Sequence, residues 1–172
     1  MVFFGRSLVT LPSHVSRPFL LKSLILLGFS EFCQAVSRWR EKGGLQGYSN
    51  HVQEVAKKFD HISVHPDIWT KVTPFSSKSS HLFLHAIQLL EKKGLVEQNQ
   101  QVFEKAIWAF REAFFTQLAD ISDRKVQFGI AEELKLPIAA IQAQIDSGEA
   151  YAELSKDFEL VKEHTVTVSL GC

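Results

Sequence analysis

The chain has 172 residues with 19 Lys and Arg against 19 Asp and Glu, so it carries no net charge at neutral pH, and 45% of it is apolar. That size suits one domain, and that apolar fraction excludes a disordered chain or a low-complexity array. The balanced charge argues against a general nucleic-acid binder, which needs surplus Lys and Arg to displace counterions.

Residues 1–40 form an atypical basic, apolar segment, with Arg6, Arg17, Lys22, Arg38 and Arg40 set against Glu31. The apolar run Phe19–Phe29 is interrupted by Lys22 and falls short of the roughly 20 residues that span a membrane. No membrane-spanning segment is expected. An amphipathic helix from about Pro18 to Trp39 is the leading reading. The alternative is a targeting signal within residues 1–35, leading to an organelle or the secretory route; without it the protein is expected to be cytoplasmic. Cys33 and Cys172 form no CxxC and lack the paired ligands of a zinc site, so Cys33 reads as a small buried hydrophobe.

Residues 41–172 form the body, and its pattern is helical. After the break at Gly43, Gly44 and Gly47, Ser49 or Asn50 is placed to cap a helix with Val52, Val55, Ala56 and Phe59 on one face. Ile62 and Val64 alternate with His61, Ser63 and His65, which predicts a short strand ending at Pro66. A helix is expected from about Ser79 to Lys93, with Leu82, Ala86, Leu89 and Leu90 inward and Gly94 at its end. A longer one, about Val96 to Leu118, carries the stripe Phe103, Ile107, Phe110 and Phe114. Trp108 and Phe115 widen that stripe and predict a second covering partner. Asp120–Asp123 reads as a turn with an N-cap, leading into Val126, Ile130, Ala131 and Leu134. Pro137 suits the first position of the next helix, which has Ile138, Ile141 and Ile145 inward and stops at Gly148. The last helix, about Glu149 to His164, uses Ala150, Leu154, Phe158 and Val161. Thr165–Ser169 is β-branched and alternating, the pattern of a strand.

From Trp69 onward the chain resembles the DsbA-like thioredoxin family, in the branch of the 2-hydroxychromene-2-carboxylate isomerases and kappa-class glutathione transferases. The likeness rests on ordered pieces: Pro74-Phe75-Ser76-Ser77 with His81-Leu82-Phe83-Leu84-His85-Ala86; Phe103-Glu104-Lys105-Ala106, the aromatic helix and Asp120-Ile121-Ser122-Asp123; then Ile130 to Pro137, Ser147-Gly148-Glu149-Ala150, Asp157 and Val166 to Ser169. It implies a mainly α chain, the helical insertion domain of a thioredoxin-like α/β fold with an incomplete sheet. It also implies thiol–disulfide oxidoreductase activity, with a glutathione-dependent isomerase or transferase as an alternative and glutathione as its cofactor. The family's CxxC, or its serine at a helix N-terminus, has no counterpart in residues 1–40, and its cis-proline would follow Ser169, where the chain reads Leu170-Gly171-Cys172. The expectation is a truncated and catalytically impaired member with no catalytic residue of its own.

The residues allow other chemistry only sparingly. His81 and His85 stand at i, i+4 on a helix, a spacing that suits metal ligands, but no third ligand is near them in sequence; a helix flank facing solvent or a pocket is the preferred reading, and no metal site is assigned. No G-x-S-x-G elbow, P-loop or dinucleotide fingerprint occurs. The loop from Trp69 to Ser77 is the best candidate for substrate binding, through Trp69, Phe75, Ser77 and His81, with a buried Trp69 anchoring the loop as the favoured alternative. The partners expected are a protein or small-molecule thiol substrate, with a homodimer as a further possibility. A non-enzymatic helical interaction module is the competing function.

Overall fold

The computed structural model describes residues 43–58, 63–74, 76–96 and 101–163. The expectations for residues 1–40, for Phe59 and Ile62 and for a strand at Thr165–Ser169 lie outside them. The described chain is mainly helical, with six helices: α1 Gly44–Ala56, α2 Ser77–Lys92, α3 Val102–Phe115, α4 Arg124–Glu133, α5 Ile138–Asp146 and α6 Glu149–Glu163. None of them is long and apolar enough to cross a membrane.

Helix α2 is the hub, and α3, α4, α5 and α6 all pack on it. Its expected single face of Leu82, Ala86, Leu89 and Leu90 is therefore too narrow. Phe83, Leu84 and Ile87 are buried as well, together with His81 and His85. A helix enclosed on most sides has to be apolar nearly all round, which blurs the one-sided periodicity of a surface helix. It starts two residues before the expected Ser79, because the Ser76 hydroxyl accepts from the Lys78 amide and so caps the first turn. At the other end Gly94 takes a left-handed φ of 69°. Lys92 binds Glu153, and Lys93 binds Gln144 and Glu149, which ties this end to α5 and α6.

Helix α3 carries the aromatic stripe inward: Phe103, Ile107, Phe110 and Phe114 are all buried. It is shorter than expected. Leu118 adopts a left-handed φ of 56°, and the Ala119 amide donates to the Ala113 carbonyl at 2.8 Å. A left-handed residue and a bond reaching back into the last turn close the helix there. Trp108 differs from the expectation of a covering partner. It is 64% exposed among the described residues, with only the Arg111 guanidinium stacked over its ring at 5.1 Å.

Asp123 caps α4 by accepting from the Lys125 amide at 2.8 Å. Pro137 stands at the N-cap of α5, one place before the expected position. Only Ile141 of its three isoleucines is fully buried, with Ile138 and Ile145 packed partly against the core. Gly148 separates α5 from α6 with a φ of 81°, a conformation that costs a side-chain-bearing residue strain.

Helix α1 departs most from its sequence pattern. It begins at Gly44 behind a left-handed Gly43, and Ser49 is not its cap but lies inside it, buried. The Ser49 hydroxyl donates to the Pro66 carbonyl instead. The strand expected around Ile62 and Val64 does not form over residues 63–65, because the backbone there is committed elsewhere. The His65 amide donates to the Phe115 carbonyl at 2.7 Å, and the His65 carbonyl accepts from Gln53 at 2.6 Å. Among the described residues the only β pairing is an isolated bridge between Ile68 and Val72.

Candidate functional site

Two sequence pieces far apart in the chain meet at the start of α2. The Ser79 hydroxyl donates to the Ser122 carbonyl at 3.1 Å, and the Ser80 hydroxyl donates to the Ile121 carbonyl at 2.8 Å. Gln127, fully buried in α4, completes the junction by donating to both Ser79 Oγ and the Ile121 carbonyl. Asp120 holds the turn in shape by accepting from the Ser122 amide and hydroxyl. Small hydroxyls are needed here because the turn passes directly over the first turn of α2. Their hydrogen bonds, with that of Gln127, satisfy the carbonyls of Ile121 and Ser122 where the turn meets the helix.

Next along α2, His81 and, one turn on, His85 are buried, and His85 lies against Asp157 of α6. Both are almost fully buried, so the flank expected to face solvent or a pocket does not face solvent. Nε2 of His85 lies 3.1 Å from Oδ2 of Asp157, close to the carboxylate but without the alignment of a hydrogen bond. Burial pushes His81 down to about 4, the neighbouring His85 adds to the depression, and Asp157 opposes it. A base that weak stays neutral and is a poor proton acceptor near pH 7, where a general base needs a pKa close to the working pH. Among the described residues no group of three His, Cys, Asp or Glu side chains could hold a metal. The cluster thus works as a buried polar tie between α2 and α6.

Beside it a groove of about 230 Å³ opens between α2, α4 and α6. Leu82, Leu154 and Phe158 supply an apolar lining, while Lys78, Arg124 and Tyr151 supply polar groups. Lys78 Nζ stands over the Phe158 ring at 6.0 Å, and the Arg124 guanidinium lies over the Phe83 ring at 5.5 Å. Cations so placed interact favourably with ring faces.

The residues expected to bind substrate are not gathered on one surface. Trp69 is buried and anchors its loop. Its ring packs against Phe114 at 4.6 Å and Tyr48 at 5.2 Å, with Phe115 at 6.5 Å. It also holds a left-handed φ of 68°, a strained state for an aromatic residue that this packing offsets. Ser77 is buried in the first turn of α2 and His81 is buried one turn on. Phe75 lies outside the described residues. Ser79 lines the groove and joins the two sequence pieces. Lys78, Arg124 and Tyr151 belong to no sequence motif. The signal they leave is a cation in the first turn of two helices, which a linear reading takes for a solvated face. No family model, curated protein or solved structure matches the chain.

Proposed function

We propose that this chain is the helical module of a DsbA-like, thioredoxin-fold protein, and that it binds a thiol-bearing protein client without exchanging thiols itself. The observation that carries the reading is the junction of Ser79 and Ser80 with Ile121 and Ser122. Two of the ordered pieces behind the family likeness meet there: Asp120–Asp123 supplies both acceptors, and the donors follow Pro74–Ser77 directly in sequence. Two further pieces fall at helix boundaries: Pro137 stands at the N-cap of α5, and Ser147-Gly148 separates α5 from α6. Such agreement between local signals and tertiary packing supports a common scaffold. No CxxC occurs anywhere in the sequence.

The test is insulin reduction by dithiothreitol in the presence of the full-length chain, alongside anisotropy of a labelled, reduced insulin B chain. Saturable binding with no acceleration over the dithiothreitol background is the expected result. Turnover above background would return the chain to the oxidoreductases, and absence of both binding and turnover would reject the reading.

A second reading, a non-enzymatic module that self-associates, is favoured by the exposed Trp108 on α3. An exposed indole is a frequent anchor of protein interfaces. Size-exclusion chromatography that gives a monomer at high concentration would exclude it.

A further inference from the structure

We propose that the groove between α2, α4 and α6 captures the C-terminal carboxylate of an extended peptide whose last residue is apolar. This goes beyond the thioredoxin-fold reading and does not depend on it. Lys78 and Arg124 stand in the first turns of α2 and α4, where helix amides already contribute partial positive charge. Neither first turn contains an acid. Neither cation forms a salt bridge among the described residues, and each rests on an aromatic ring.

The acids nearby are engaged elsewhere. Asp123 accepts from the Lys125 amide, Asp157 faces His85, and Glu153 holds Lys92 and Lys156. Asp146 accepts from Gln142 and acts on Arg124 only through its field. Nη1 of Arg124 is buried with no hydrogen-bond partner among the described residues. The groove therefore pools positive charge beside an apolar lining, and its complement is a carboxylate carried on an apolar group.

The groove has a volume of about 230 Å³, below the roughly 300–1,000 Å³ of pockets that enclose a whole small molecule. It has an edge at Tyr151, which is 65% exposed. Leu82, Leu154 and Phe158 offer an apolar surface to one side chain, and Lys78 and Arg124 line the same groove. A groove of this size with an exposed edge suits the end of a longer chain whose remainder lies outside, and octanoate in the experiment separates that source from a free acid.

The experiment measures binding of an N-terminally labelled hexapeptide ending in leucine to the full-length chain. The free acid is compared with the C-terminal amide, and octanoate serves as the free-acid competitor. The acid is expected to bind at least about ten-fold more tightly than the amide, and Lys78→Gln to weaken it by about ten-fold. Lys78→Gln keeps the backbone amide that Ser76 caps, and an unchanged melting curve confirms its fold. Arg124→Lys, which retains the charge and loses the forked donors, is expected to weaken the acid less than Arg124→Gln. Equal binding of acid and amide, wild-type affinity in Lys78→Gln, or displacement by octanoate at the peptide's own affinity would each overturn the proposal. Binding of insulin B chain without binding of the peptide end would leave the helical-module reading standing and remove this one.

Discussion

The hydroxyl of Ser80 donates to the carbonyl of Ile121 at 2.8 Å across 41 residues of sequence, and Gln127 donates to the same oxygen at 2.8 Å. The carbonyl thus has two donors, and either suffices to satisfy it. Ser80→Ala and Gln127→Met are each expected to cost about 1 kcal/mol, the usual net value of a hydrogen bond. The double variant leaves the buried oxygen bare and is expected to lose about 1–3 kcal/mol beyond the sum of the single changes. Urea unfolding of the four proteins measures this, and simple additivity would show that the carbonyl is not shared.

His81 makes stability depend on pH in a defined window. It sits near 4 in the fold, against an ordinary 6.5. Between these values the unfolded chain takes up a proton that the folded chain refuses. Stability is therefore full above about pH 6.5 and falls as pH drops to about 4, by on the order of 3 kcal/mol. Below that window Glu153, held at about 2 by hydrogen bonds from Lys156 and Lys92, loses its own contribution as it protonates. His81→Gln is expected to flatten the upper window, measured as unfolding free energy against pH. Within the cluster, Asp157→Asn should lower the His81 midpoint further and His85→Gln should raise it, because the first removes an attraction for the proton and the second a repulsion. NMR titration of the His81 ring reads both signs.

Two aromatic residues less than two helical turns apart on α3 are expected to behave in opposite ways. Phe114 is fully buried and touches Trp69 and Phe115, so Phe114→Ala should cost about 3–5 kcal/mol through lost burial and the cavity left behind. Trp108 is 64% exposed, so Trp108→Ala should stay within about 0.5 kcal/mol of the parent in chemical denaturation. A large loss on removing Trp108 would mean that this face is covered in solution.

The helices themselves were legible because their signals are local. Asp123 as a cap, Gly94 and Gly148 as breaks, and the four-three-four stripe from Phe103 to Phe114 depend only on neighbouring residues and on backbone geometry. The cap of α1 was misread for the opposite reason. Ser49 has the side chain of a capping residue, but a carbonyl on Pro66 takes its hydrogen bond. The same competition removed the strand over residues 63–65, whose backbone is claimed by Phe115 and Gln53.

The amino-acid order alone established a neutral, mainly helical chain and most of its helix boundaries, since propensity, capping and turn chemistry act over a few residues. Folding assigned the roles. The positions flanking Ser80 became a hub only when four helices closed around α2, His81 became a weak base only once buried, and Lys78 and Arg124 came to share a groove only when α4 and α6 met beside α2. Burial and charge fields depend on neighbours in space, and the order of residues along a chain does not state which those neighbours are.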